Sequence, residues 1–190
     1  MHLAVAVKKL RGSQRKRKLT TLAHAAALAF GLTIAPVFPQ EAVKSPPIKI
    51  AVFDFELDDA SPAASLLDRT TSSPSAMDEV SKQARQELAH SGRYSIIDTS
   101  KVGAKTGTGK SLRDCEGCEA GIALRLGADQ SLLGVVRRVT QTDYYVAIQI
   151  RDAQTGKLLD QQEANFAGSE EGWASGARML IRHQVLASQN

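Results

Sequence analysis

Histidine and cysteine are scarce in this 190-residue chain, which contains four of the first and two of the second. Beyond residue 42 only His90 and His183 remain, and both fall in segments with a helical pattern. A structural zinc site takes four ligands, and a Ser/His/Asp hydrolase needs a histidine beside its nucleophile. This shortage argues against both, and we predict no metal, no cofactor, no catalytic residue and a protein that is not an enzyme.

Positive charge is also lacking once the N-terminus is set aside. The whole chain carries a net charge of +4, but residues 1–42 hold seven Lys/Arg and one Glu. Residues 43–190 therefore carry 17 bases and 19 acids, a net charge of −2. Because nucleic-acid binding depends on a basic surface, we predict no nucleic-acid partner.

The N-terminal 42 residues have the layout of an export signal. The basic stretch "VKKLRGSQRKRKL" is followed by the uncharged, apolar run "TTLAHAAALAFGLTIAPVF". Cleavage after Ala35 and cleavage after Ala42 both fit the small residues there. The apolar run also approaches the length of a short spanning helix. We predict a signal peptide over residues 1–42 and a periplasmic protein, with an uncleaved membrane anchor as the alternative.

Residues 43–190 have the length of one domain, and their patterns predict an α/β (α+β) fold. A strand over residues 48–57 is apolar on both faces, and residues 74–92 have a helical stripe that ends at Gly92. A short strand at 93–98 and a helix at 116–126 follow. Three strands with period-two alternation and a helix after Ser169 complete the domain. The predicted order is β-α-β-α-β-β-β-α, a single mixed sheet with helices packed on it.

The segment "AKTGTGKS", Ala104 to Ser111, matches the phosphate-loop pattern. A working phosphate loop joins a strand directly to a helix, so that backbone N–H groups and the helix dipole meet the phosphate. Here the preceding strand ends about six residues too early and no helical stripe follows at once. We therefore predict a Gly/Lys/Thr-rich loop and no nucleotide ligand.

Cys115 and Cys118 form a CxxC motif. Residue 119 is Glu and not His, which excludes a c-type haem site. In an exported protein the two cysteines are expected to pair. Because proline is absent after Pro74, the cis-proline loop that accompanies CxxC in thioredoxins is missing. We predict a structural disulfide, with thiol–disulfide exchange or electron transfer as the alternative.

Five further side chains are candidates for contact with a partner or ligand. Asp54 and Glu56 belong to the acidic run "DFELDD" at the end of the first strand, and alternation places them on one side of it. Arg113 precedes the cysteines, and Tyr145 lies on the more polar face of its strand. Trp173, the only tryptophan, also fits the inward stripe of the last helix.

Several segments resemble known families. "IKIAVFDF", "YSIID" and "LGADQSLLGVV" are similar to exported α/β domains of the TolB N-terminal and CsgG type, which bind other envelope proteins. "AVFDFEL", "LRDCEGCEAGIALRLGAD" and "EEGWASGARMLIRHQVL" more closely resemble a proteobacterial family of unknown function, DUF2380/DUF3280, over residues 48–186. That resemblance implies export and an association with quinoprotein dehydrogenase systems, and its motifs match at Cys115, Cys118 and Trp173.

Together these observations predict an exported, periplasmic, non-enzymatic accessory protein. It would act through protein–protein contacts with an envelope partner, within a quinoprotein dehydrogenase system if the family resemblance extends to pathway. The alternative function is a thiol–disulfide redox or electron-transfer accessory protein that uses the CxxC pair. The membrane would be reached only through an uncleaved leader.

Overall fold

The strands of the computed structural model form one mixed sheet. The structure describes residues 45–62, 64, 74–100, 102 and 111–188. The strands are β1 (Ile48–Val52), β2 (Glu56–Asp59), β3 (Tyr94–Ile97), β4 (Gln130–Arg138), β5 (Asp143–Asp152) and β6 (Leu158–Ala167). Their order in the sheet is β3-β1-β4-β5-β6, and β2 also pairs with β4. The helices are α1 (Pro74–His90), α2 (Cys118–Arg125) and α3 (Trp173–Leu180), and α3 continues into a π-turn at Ile181–Val185.

The strand order reverses between β1 and β4, which makes this position the topological switch point of the sheet. Strand β1 pairs in parallel with β3 on one side and with β4 on the other, and β4, β5 and β6 form an antiparallel meander. The crossover from β1 to β3 contains α1, and the crossover from β3 to β4 contains α2. In such sheets the carboxyl end of the strand at the switch point is a usual position for ligands.

Two buried clusters lie on opposite faces of the sheet. On one face, α1 and α3 cover β4, β5 and part of β6 through residues such as Val80, Leu88 and Trp173. On the other face, α2 covers β1 and β4 through Ile122 and Ala123. This division follows from the sequence, because the buried residues of β5 alternate and the buried residues of α1 recur at helical spacing.

The predicted strand over residues 48–57 is interrupted. Val52 pairs with Leu132, and Glu56 pairs with Val135. The chain therefore advances by four residues from β1 to β2 while β4 advances by three. The extra residue is a β-bulge, which restarts the alternation of side chains. Phe55 therefore reaches the same buried cluster as Val52, and Asp54 projects from the bulge. The prediction that Asp54 and Glu56 share one side of a continuous strand was wrong for this reason.

Other predicted elements agree with the structure. The mixed sheet with packed helices is confirmed, and β2 adds a strand to the predicted order. Helix α2 begins at Cys118, two residues later than predicted, after a 3-10 turn at Leu112–Asp114. Gly156 has φ +71° in the β5–β6 connection, as the hairpin requires. Within the described ranges, no helix combines the length and apolarity needed to span a membrane.

Gly134 is required by the bulge. A Cβ atom at this position would lie 2.3 Å from ring atoms of Phe55, and Phe55 is 4% exposed. We expect Gly134→Ala to lower the free energy of unfolding by about 1–3 kcal/mol, because the ring has no space to move into. Urea denaturation measures the change. Gly121→Ala is the control, since a Cβ there meets only the end of Arg125 at 3.8 Å and should be neutral or stabilising. Equal stability of the two variants would contradict the packing described.

Candidate functional site

The carboxyl ends of β1 and β3 border a cavity of about 440 Å³ lined by Asp54, Arg85 and residues 96–100. The Arg85 Nη2 atom lies 2.5 Å from Asp54 Oδ1 and donates to the carbonyl of Val52 at 3.0 Å. Thr99 Oγ1 donates to the same carbonyl at 3.1 Å. Asp54, a predicted contact residue, is thus already paired with Arg85 at the carboxyl end of β1.

Glu56 is buried and joins β2 to the turn that precedes the cysteines. Its carboxylate accepts the backbone N–H of Leu112 at 2.6 Å and that of Arg113 at 3.2 Å. The Arg113 guanidinium donates to the same carboxylate at 3.2 Å. The first N–H groups of a helical turn have no partner within the turn, so an acceptor from outside satisfies them. Two predicted contact residues, Glu56 and Arg113, are therefore bonded to each other.

This contact also bears on the phosphate-loop motif. Residues 103–110 lie outside the described residues, and Ser111 is the only residue of the motif that the structure describes. The amides of Leu112 and Arg113, immediately after it, bond to Glu56. Those two donors are thus occupied by the chain's own carboxylate.

Cys115 and Cys118 form a disulfide with a Cα–Cα distance of 5.5 Å. Glu116 and Gly117 between them both have positive φ, +52° and +105°. Both cysteines are half-buried, and α2 starts at Cys118. The predicted pairing is therefore present, and the loop between the sulfurs bends through two residues in the left-handed region.

A buried ion pair that no sequence motif indicates lies beneath this disulfide. Glu119 is 1% exposed, and its Oε1 atom lies 3.0 Å from Arg151 Nε. Glu119 Oε2 is buried and has no hydrogen-bond partner in the part of the chain that the structure describes. A carboxylate oxygen of Glu119 and the two sulfurs all lie within 4.8 Å of one another. Since both sulfurs are used in the S–S bond, this state offers no metal site there.

Arg151 holds the ion pair against the cysteine loop. A Cβ on Gly117 would lie 3.4 Å from Arg151 Nε, and Arg151 Nη1 donates to the carbonyl of Gly156 at 3.2 Å. Helix α2 supplies Glu119 one residue after Cys118, and β5 supplies Arg151. The signal in the sequence was a charged residue at an inward position of each element, Glu119 in α2 and Arg151 in β5.

The third feature is the sheet face that carries Tyr145. Cross-strand pairing places Arg137, Tyr145 and Asn165 in one row over β4, β5 and β6, with Val135, Ala147 and Glu163 in the next. These side chains are half-buried or exposed, and none belongs to either buried cluster. We call these six residues the open sheet face. It contains a tyrosine and an arginine, two residue types that are enriched in protein interfaces.

Tyr145 is the central aromatic residue of the open sheet face. The Arg137 guanidinium carbon lies 5.2 Å from the centre of the Tyr145 ring, and Arg137 is also paired with Asp58 at 2.5 Å. A groove of about 340 Å³ beside the ring is lined by Tyr145, Glu163, Ala164 and Asn165. The ring is thus held in place while one side stays accessible.

Trp173 occupies the opposite face of the sheet. It is 1% exposed, with the Arg138 guanidinium carbon 4.9 Å from its ring centre and the Tyr144 ring at 6.2 Å. Tyr144 donates its hydroxyl to the carbonyl of Gly172 at 2.8 Å, and burial raises the pKa of this tyrosine. Trp173, a candidate contact residue in the sequence, is instead a core residue in this structure.

The chain belongs to the family described as "Protein of unknown function (DUF2380)", DUF3280, whose model matches residues 48–185. The resemblance predicted from the motifs is therefore confirmed. No curated protein matches the chain.

Solved structures with a similar fold include three from bacteria. The LpoB C-terminal domain from Salmonella enterica has 16% identity and a TM-score of 0.46, covering 65% of this chain and 85% of that one. Lipoprotein GNA1162 from Neisseria meningitidis has 17% identity and a TM-score of 0.46, with coverages of 75% and 96%. TolB from Acinetobacter baumannii has 14% identity and a TM-score of 0.45, with coverages of 75% and 29%.

Proposed function

We propose that this protein is an exported, periplasmic, non-enzymatic accessory protein that binds an envelope protein through its open sheet face. The observation that carries the proposal is the accessible row formed by Arg137, Tyr145 and Asn165 across three paired strands. Tyrosine and arginine are the residue types enriched where binding energy concentrates. Residues 1–42 contain a basic stretch followed by an apolar run, which supports export.

The edge of the sheet adds to this surface. Strand β6 is the last in the strand order, and Leu158 and Leu159 near its start are 38% and 46% exposed. A terminal strand offers backbone N–H and C=O groups to an added strand. An extended segment of the partner can therefore pair with β6 and lay side chains over Tyr145.

Photo-crosslinking in cells tests this surface. A photoreactive residue at Asn165, which is exposed on β6, should give one discrete crosslinked product with an envelope protein. The same residue at Lys82, whose side chain is 61% exposed on α1, should give none. The family resemblance suggests components of quinoprotein dehydrogenase systems as the first candidates for the crosslinked partner. Crosslinks from Lys82 alone would assign binding to the helical face and refute the proposal.

A thiol–disulfide role is the second candidate function. It is favoured by one specific observation, the buried Glu119 carboxylate within 4.8 Å of both sulfurs. A purely structural disulfide does not need a charged group at that position, and burying the Glu119–Arg151 pair costs desolvation energy.

A further inference from the structure

We propose that Cys115 and Cys118 are a redox-active pair in which Glu119 accepts the proton of Cys115. This inference rests on the thiol–disulfide role above and is independent of the open sheet face. It assigns a separate task to each sulfur and to the buried carboxylate. The substrate class is a disulfide of a protein or of a small thiol.

The two sulfurs have different surroundings. Cys118 is the first residue of α2, where the free N–H groups and the helix dipole stabilise a thiolate. Cys115 Sγ lies 2.9 Å from the carbonyl oxygen of Leu112, an acceptor that favours a protonated thiol. In the reduced protein Cys118 is therefore the attacking thiolate, and Cys115 is the thiol that closes the disulfide.

Glu119 is placed to receive the proton of that thiol. Its Oε2 atom is buried and, within the described ranges, has no hydrogen-bond partner in the disulfide state. A buried acceptor without a partner is unfavourable, and a nearby S–H group would satisfy it. With both sulfurs within 4.8 Å of a carboxylate oxygen of Glu119, rotation of a freed Cys115 side chain brings its thiol towards the carboxylate.

Arg151 keeps the carboxylate in place. Its Nε atom lies 3.0 Å from Glu119 Oε1 in an ion pair without hydrogen-bond geometry, and Oε2 has no hydrogen-bond partner among the described residues. The same guanidinium lies against Gly117 between the two cysteines. Arg151 is thus a positioning residue, and its charge offsets the cost of burying Glu119.

The reaction proceeds in two steps. The Cys118 thiolate attacks one sulfur of the partner disulfide, forms a mixed disulfide and releases the other partner sulfur as a thiolate, which takes a proton from water. Cys115 then transfers its proton to Glu119 and attacks Cys118 Sγ. The Cys115–Cys118 bond forms, and the second partner thiolate leaves and takes the proton from Glu119. The protein dithiol loses two electrons and the partner disulfide gains them.

The test follows the mixed disulfide. The reduced full chain is mixed with oxidised glutathione, quenched with acid at intervals and analysed by mass spectrometry. Glu119→Gln should form the glutathione adduct at the normal rate but resolve it about 100-fold more slowly, as expected when a proton acceptor is lost. Glu116→Gln, which changes an exposed carboxylate in the same loop, should resolve it like the unmodified protein.

Further variants separate the possible failures. Cys115→Ser should accumulate the adduct on Cys118. Circular dichroism checks that Glu119→Gln is folded; if it is not, Glu119→Asp, which moves the carboxylate back, should slow resolution about tenfold or more. Adduct formation on Cys118 with unchanged resolution in the Glu119 variants would overturn the role of Glu119 and leave the thiol–disulfide role standing. Absence of any adduct would overturn both.

Discussion

Trp173→Ala is expected to lower the free energy of unfolding by about 3–5 kcal/mol, because it empties the largest side-chain volume in the buried cluster under α1 and α3. The cavity cannot close easily. Tyr144 is fixed by its hydrogen bond to Gly172, and a Cβ on Gly176 would already lie 2.8 Å from the Tyr144 hydroxyl oxygen. The loss should appear as a fall in the melting temperature of roughly 10 °C.

Calorimetry and urea denaturation measure this change. Met179→Ala is the matched control, since Met179 belongs to the same helix and is 50% exposed. It should change stability by about 0.5 kcal/mol or less. Equal losses of unfolding free energy for Trp173→Ala and Met179→Ala would contradict the core position of Trp173. Such a result would favour a contact role for Trp173 at the protein surface.

Glu56→Ala is expected to cost about 2–4 kcal/mol. It leaves the buried N–H of Leu112, the N–H of Arg113 and one guanidinium group without their shared acceptor. Buried donors that lose their partner carry the full cost of desolvation, and a charged acceptor makes the loss larger. Because the turn at Leu112–Asp114 leads into the cysteine loop, its amides should also exchange hydrogen faster in the variant.

Asp54→Ala is the comparison for Glu56→Ala. Both side chains are carboxylates paired with an arginine, but the side chain of Asp54 is 54% exposed and that of Glu56 is 6% exposed. An exposed pair is worth about 0–1 kcal/mol, so Asp54→Ala should be nearly neutral. A loss of stability as large for Asp54→Ala as for Glu56→Ala would contradict the structural role given to Glu56.

Most of the fold could be predicted from local patterns. The alternation of Tyr144, Val146, Ile148 and Ile150 and the helical spacing of Val80, Ala84 and Leu88 each report burial within one element. The bulge at Asp54 could not be predicted in this way. The bulge depends on Gly134, about 80 residues later, which leaves room for the Phe55 ring. The alternation of apolar residues within one strand carries no information about that long-range contact.

The candidate sites show the same limit. The cysteine pair is local, with two residues between its members, and the predicted export of the chain was enough to predict the pairing. The sequence predicts Glu56 and Arg113 as contact residues. The hydrogen bonds that join them span 57 positions, so their pairing could not be predicted from local spacing. In the sequence, Glu119 serves only to exclude a c-type haem motif. Its importance comes from burial and from Arg151 on a distant strand, which the folded structure alone brings together.

The central claim is that the open sheet face binds an envelope protein. Its most direct test is the equilibrium affinity of the purified partner, identified by crosslinking, for the protein and two variants. Tyr145→Ala should raise Kd by about 30-fold, the effect of removing one dominant aromatic contact of about 2 kcal/mol, while Lys82→Ala on α1 should leave Kd within about twofold. Unchanged affinity for Tyr145→Ala, with the protein still folded, would contradict the account.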